Sequence, residues 1–474
     1  MMKKLTIFSK TTFFKNLVFS IIFVLAILIR FWKIEYLPYQ SDWDEYAYIF
    51  AGQSLIETGE PVSVSGFTSD YPGSVINFAD LPDLSNFNIK GAYILVQPWF
   101  DHPPLLPLIV GGWVKLFGYN FPSHVPSLIY RLPMLLFSTA TLYLVFLITK
   151  KLFGYFSALF SLILIGFTPS IVIIQRMVVG ENLYIPFILL SIYLVLTQNK
   201  IIKPIFFSIL SGLSKITGLL VIPLITYYLL LKKEYKKAIV YFILSLGLFA
   251  LIYSIYGYLL SWPQFIKMLD VQSYRPIGWL NPAFIFSNPG FHNKVILDAG
   301  YYLILFLGLT ALFIPSSNKT HHSFVRFLIF APFLLIWASS PETANLGWYK
   351  IPFFTLLTIS AGKIIKKNIN YPLLILVAMT VLNNCGLVRD ALHPYVKPIY
   401  VRLVLLFVFG FLFIFTLFPK PKINLKKTIL TILLVGYILS SFYAIDHYYE
   451  TICQHKICPL PILTFKQVVN SALN

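Results

Sequence analysis

The stretch LVFSIIFVLAILIRFWKIEYLPYQSDWDEYAY, residues 17–48, sets a long apolar run directly before a knot of acids. Lys3, Lys4, Lys10 and Lys15 precede the run; Asp42, Asp44 and Glu45 follow it. Basic residues collect on the cytoplasmic side of a membrane span, so this reads as one crossing with its start inside and its acids outside. Arg30 and Lys33 follow the apolar stretch and no small-residue cleavage site is present, which speaks against a cleaved signal.

The rest of the chain repeats the pattern. It has 474 residues, is 58% hydrophobic and only 12% charged, and its mean hydropathy is +0.77. A soluble domain of this length does not need so much apolar surface, so most of its solvent is lipid. The net charge of +19 does not mark a nucleic-acid binder, because the basic residues sit singly and in pairs between apolar runs of about 17–22 residues. Clusters at Lys150/Lys151, Lys200/Lys203, Lys232/Lys237, Lys319/Arg326, Lys363/Lys367 and Lys420/Lys427 each mark a return to the cytoplasm. Spans fit near 17–36, 128–149, 154–174, 183–199, 204–214, 216–231, 238–258, 298–315, 324–340, 350–365, 371–388, 400–418 and 428–445. The expectation is an all-α polytopic membrane protein with about thirteen transmembrane helices, the N-terminus cytoplasmic and the C-terminus outside. The short pair at 204–231 also reads as a re-entrant hairpin. One integral membrane domain covers 1–474, with no soluble domain and no strong internal repeat.

This threading ignores acids, yet it places every carboxylate except Glu234 outside. Of 18 Asp and Glu, ten lie between Glu35 and Asp101. The first outer loop, about 37–127, is too long for a mere connector. It holds an expected helix from Asp44 to Thr58, closed by Gly59 and Pro61, then an irregular stretch at about 59–90. Asp101-His102-Pro103-Pro104 opens an apolar stretch to Phe117 that reads as a helix lying in the interface. A second long outer loop spans about 259–297, and an outer tail covers 446–474. Cys453 and Cys458 in the tail stand close enough in sequence to pair. His447 and His455 match no common zinc spacing.

Several groups have the residue types for chemistry. Acids at a helix N-terminus favour its dipole, but capping accounts for one or two, and three gather here. A carboxylate at the membrane surface can serve as a base or bind a metal ion. Tyr48, Ala51 and Leu55 share one stripe of that helix. Asp101 and His102 precede two prolines that force an extended entry. They are donors for a divalent cation or a phosphate, or a pair that caps the next helix. Arg176 and Glu181 bridge two spans on the outer side, as a loop salt bridge or part of a site. Arg131, Lys215, Arg275 and Lys350 are the scattered outer cations. Singly each reads as a snorkelling side chain; converging, they suit a lipid phosphate.

Together these strings resemble the GT-C superfamily of polytopic glycosyltransferases. The nearest branch holds the protein O-mannosyltransferases, the lipid A aminoarabinose transferases and the Rgt-type sugar transferases. The resemblance covers roughly 15–230 in motif and the remainder in topology only. It rests on Asp44-Glu45-x-x-Tyr48 with Leu55 and Gly59, and on His102-Pro103-Pro104-Leu105. Further on come Leu116-Phe117-Gly118, Arg131-Leu132-Pro133, Leu152-Phe153-Gly154, Pro169, Arg176 with Glu181, and Gly212-Leu213. It implies a GT-C fold in a multi-pass plasma-membrane protein. It also implies transfer of a sugar, with inversion, from a polyprenyl-phosphate donor to a lipid, protein or glycan acceptor on the outer face. By resemblance Asp44 is the catalytic acid-base position, Glu181 the second acidic position, and Glu45 a further orienting acid. Asp101 and His102 fall where relatives place metal-contacting or substrate-contacting groups. Tyr48, Arg131, Arg176, Lys215, Arg275, Tyr349 and Lys350 become candidates for holding substrate. Two departures stand out: Lys215 comes about three residues before the usual lysine of the fifth-span hairpin, and Trp348-Tyr349-Lys350-Ile351-Pro352 replaces an Arg-Tyr-x-x-Pro pattern. The competing reading is a lipid or solute transporter, which calls for charge near mid-membrane and repeat symmetry.

Overall fold

The computed structural model describes residues 2–35, 37–38, 43–71, 75–77, 94–121, 125–198, 200–274, 285–286, 299–315, 318–339, 347–367, 369–392 and 423–454, with isolated positions between 397 and 410. Side chains of 2–11, 43–44, 385–392 and 447–454 lie outside the described set, as do Asp42, Arg275, Cys453, Cys458, His447 and His455.

Helices α1 (Met2–Phe31), α4 (Ser127–Phe153), α5 (Tyr155–Phe167), α6 (Pro169–Ile174) and α7 (Gly180–Gln198) form the first part of a bundle. It continues with α8 (Ile202–Ser214), α9 (Val221–Leu231), α10 (Tyr235–Ser273), α11 (Ala299–Phe313), α12 (Lys319–Ser339), α13 (Ile351–Lys367), α14 (Tyr371–Leu392) and α15 (Ile423–Gln454). Among the described residues six helices are long and apolar enough to cross a membrane, and shorter apolar helices stand between them. These elements lie where the apolar runs put them, except 400–418, most of which lies outside the described residues. Exposed apolar side chains line the outside of α1 and α10, as a lipid-facing surface requires.

The first outer loop builds its own small core. Helix α2 (Trp43–Thr58) packs on α3 (Leu105–Leu116), burying Tyr48, Ile49, Phe50 and Ala51 against Leu106, Val110 and Val114. Here water is the competing solvent, so each large buried side chain contributes roughly 1.5–3 kcal/mol. The helices touch at glycines: a Cβ on Gly52 would lie 1.9 Å from the Pro107 carbonyl oxygen, and one on Gly111 would lie 2.2 Å from the Gly52 backbone. Gly59, at φ +80°, closes α2 as its position predicts. Ser54 Oγ accepts the Val62 N–H at 2.7 Å and donates to Phe50 O at 2.7 Å, turning the chain back along α2.

One expectation is corrected, and two loop segments gain detail. The protein is not wholly helical: within and after the stretch expected to be irregular, β1 (Ser63–Val64), β2 (Val75–Asn77) and β3 (Ile94–Val96) form an antiparallel sheet in the order β1-β3-β2. Strands of two or three residues are too short to show a period of two, so no pattern marked them. The start of the second outer loop is helical, because α10 runs to Ser273 with a break at Ser261 (φ −168°, ψ 99°) just before Pro263. The outer tail is partly helical too, since α15 continues to Gln454.

Gly111→Val should wedge α2 from α3. Loss of this contact is expected to cost several kcal/mol and to lower the thermal midpoint of the purified protein in detergent; an unchanged midpoint would contradict the close packing.

Candidate active site

The N-terminal turn of α2 turns one acid inward. The Glu45 carboxylate is completely buried. Arg131, at the start of α4, donates Nη2 to its Oε2 at 2.7 Å and Nε to its Oε1 at 3.1 Å. The Val178 N–H adds a bond to Oε1 at 3.0 Å and the Tyr130 hydroxyl a longer one to Oε2 at 3.4 Å. The same guanidinium donates to Ile34 O at 2.7 Å and Pro38 O at 2.9 Å. A buried bidentate pair with these extra partners meets the condition under which Coulomb attraction offsets desolvation.

Two more arginines grip the same junction. Arg176 donates to Ile29 O at 2.6 Å and Leu37 O at 3.2 Å. Arg30 reaches Ala26 O and Gly166 O, both at 2.8 Å, and Gln175 Oε1 at 2.6 Å. All three arginines are fully buried. Arg131 and Arg176, expected to hold substrate, thus spend their donors on the carbonyls where α1 leaves for the first loop, and on Glu45. Arg30 was read only as a flank of the first span; its structural role left no sequence signal, because its partners are backbone carbonyls.

Glu45 therefore sits as a brace, one residue after Asp44. Asp44 lies in the first turn of α2, and its side chain is outside the described residues. The brace fixes the backbone that carries it.

Three residues past Val178, Glu181 opens α7. Its Oε1 accepts from Lys215 Nζ at 2.7 Å, and its side chain is fully buried. Lys215 Nζ also sits 4.5 Å from the centre of the Tyr349 ring. Next to Tyr349, Lys350 is buried, with Nζ 5.6 Å from the Tyr301 ring. Glu181, Lys215 and Tyr349 are therefore brought together from three separate elements; Arg275 lies outside the described residues.

Asp101 and His102 occupy another part of the first loop. The Asp101 carboxylate accepts from Ser65 Oγ at 2.7 and 2.9 Å and from the Tyr71 hydroxyl at 2.8 Å. Burial, with the Asp101 charge second, pushes the Tyr71 hydroxyl far above its usual range, so it stays a donor at any physiological pH. Gln272, on the far part of α10, donates to Asp101 O at 2.6 Å. The His102 ring stacks on buried Tyr48 at 5.3 Å and meets Trp99 edge-on at 5.8 Å. Among the described residues no three His, Cys, Asp or Glu gather as a metal site. Asp101 and His102 offer two donors, and the carboxylate already receives hydroxyls, so no step is assigned to a metal here.

The fold and these groups define a multi-pass membrane protein whose buried ion pairs gather where its first outer loop joins the bundle. Comparison with known proteins then shows what the chain is similar to. Residues 101–258 match the family described as dolichyl-phosphate-mannose-protein mannosyltransferase. The structure of ArnT from Cupriavidus metallidurans in the apo state superposes with a TM-score of 0.58 at 13% identity, covering 94% of this chain and 78% of that one. ArnT bound to undecaprenyl phosphate gives 0.56 at 14% identity, covering 91% and 77%. The Archaeoglobus fulgidus oligosaccharyltransferase in the apo form gives 0.50 at 11% identity, covering 90% of this chain and 55% of that one. No curated protein matches by sequence. The chain shares the fold of ArnT, and the family match takes in Asp101, His102, Arg131, Arg176, Glu181 and Lys215 but starts after Asp44 and Glu45.

Removing one partner of the buried pair, as in Glu45→Gln or Arg131→Gln, is expected to cost about 3–5 kcal/mol. The double variant Glu45→Leu with Arg131→Met should regain much of that stability in thermal melts. Single variants as stable as the parent would show that the pair does not brace the loop.

Proposed function

We propose that this chain is a glycosyltransferase of the plasma membrane. It moves a sugar from a polyprenyl-phosphate carrier to a lipid, protein or glycan acceptor on the outer face. The observation that carries the reading is the segment 178–181. Its Val178 N–H holds Glu45 beside Asp44, and its Glu181 meets Lys215 and, through it, Tyr349. One short stretch of backbone thus links a loop carboxylate at a helix N-terminus to a lysine ammonium. Those are the two charge types that sugar transfer from a lipid phosphate calls for.

The chemistry follows from the charges. An acceptor hydroxyl attacks the anomeric carbon while its proton passes to the Asp44 carboxylate. The bond from that carbon to the phosphate oxygen breaks, and the electron pair leaves with the lipid phosphate. A single displacement inverts the anomeric centre. Lys215, Lys350 and Arg275 hold the developing phosphate charge, which is the electrostatic part of the barrier. Glu45, saturated by Arg131 and Val178, keeps Asp44 in place and exchanges no proton. Asp101 and His102 shape the loop through Ser65, Tyr71 and Tyr48; a divalent ion bound there is to be tested by chelation. ArnT, which shares the fold, is known bound to undecaprenyl phosphate, which supports a carrier of that class for this chain.

Transfer of labelled sugar from polyprenyl-phosphate donors in membranes should fall by about two to four orders of magnitude in Asp44→Asn. Insertion and melting behaviour should not change. Full activity in that variant would remove Asp44 as the base.

A further inference from the structure

Lys215 reaches Glu181 only through an unusual local geometry. Lys215 follows the last residue of α8 with an extended backbone (φ −164°, ψ 142°), which swings its side chain out of the helix. The chain then crosses the first turn of α7 at Gly180. A Cβ there would lie 2.8 Å from Lys215 Cδ and 2.9 Å from its Cβ. The absence of a side chain at 180 lets the ammonium reach Glu181 at 2.7 Å.

The ion pair is also incomplete. Glu181 Oε1 receives the lysine, but Oε2 is buried with no hydrogen-bond partner among the described residues. A buried carboxylate with one unsatisfied oxygen pays desolvation without full return, so the pair is weaker than its short distance suggests. Lys215 has three donors, and a phosphate offers more acceptor oxygens than this carboxylate uses.

We propose that Glu181 is a counter-ion that competes with the carrier phosphate for Lys215 and thereby speeds release of the spent carrier. The proposal rests on the carrier-phosphate reading above. In the empty protein Glu181 holds the ammonium. When the phosphate binds, Nζ turns to it and leaves a second negative charge close by, so the bound phosphate is held less tightly than Lys215 alone would hold it. After transfer, Oε1 retakes Nζ as the lipid phosphate departs. No proton moves and no bond forms to Glu181. It is a positioning residue that acts through Lys215.

The test measures undecaprenyl phosphate binding to the full chain in phosphatidylcholine nanodiscs, with steady-state transfer alongside. Glu181→Gln removes the competing charge and should tighten binding about tenfold or more. KM and kcat for transfer should fall together as release slows. A purely structural residue would do the reverse, because its loss weakens the site. If Glu181→Gln does not fold, Glu181→Asp, whose shorter carboxylate draws back from Nζ, should shift binding the same way by a smaller factor. Placed in a Lys215→Gln background, the Glu181 change should no longer tighten binding. Equal or weaker binding in a folded Glu181 variant, with the wild type binding normally, overturns this inference and leaves the carrier reading intact. Tightening that persists without Lys215 overturns it as well. A wild type that binds no polyprenyl phosphate overturns both.

Discussion

The buried pair of Glu45 and Arg131 is the constraint on which the outer half of the protein depends. Both side chains are shielded from solvent, so neither charge can be left alone without a large desolvation cost. The pair joins α2 to α4. Arg131 also holds the carbonyls of Ile34 and Pro38, and Glu45 also holds the N–H of Val178. α2, α4 and the segment before α7 thus meet at one carboxylate, and the 34–38 turn joins them through Arg131. The first loop, the one with the most acids, is held to the bundle by chemistry that tolerates little displacement.

Two kinds of packing meet at that point. In the membrane-spanning part, lipid is as apolar as leucine, so helices associate through close contact and through hydroxyls rather than through hydrophobic burial. Thr168 with Tyr437 at 2.8 Å and Ser208 with Tyr241 at 2.6 Å are examples. In the outer loop, water is the reference. The aromatic core of Tyr48, Phe50, Trp99 and Phe100 then supplies real driving force. The far part of α10 belongs to this second core: Phe265 meets Phe100 edge-on at 5.5 Å, and Gln272 bonds Asp101 O. The beginning of the second outer loop is therefore part of the first loop's packing.

Positive charge exceeds negative at the junction. Arg30, Arg131 and Arg176 are all buried near a single described carboxylate, Glu45. Carbonyl oxygens from α1, α5 and the 34–38 turn accept most of the remaining donors. The backbone takes the place of counter-ions, and the junction stays positive.

Much of the architecture was legible in the sequence. Apolar runs and lysine clusters depend on transfer to lipid, a local property that each segment expresses alone, so spans and loops could be placed without contacts. The helix ending at Thr58 was also local, because Gly59 and Pro61 stop it by backbone geometry. What each charged residue does was decided only in three dimensions. Arg131 read as a snorkelling outer cation and Arg176 as part of a loop bridge, and both as candidates for holding substrate; their partners are carbonyls and, for Arg131, a carboxylate from other parts of the chain. Glu45 sits in a run of acids, and nothing local tells that it turns inward to be saturated. Lys215 and Glu181 are 34 residues apart, and the room that lets them meet is a missing side chain at Gly180. Partition into membrane is a sum over single residues, whereas the fate of a buried charge depends on its partner, and partners are chosen by the fold.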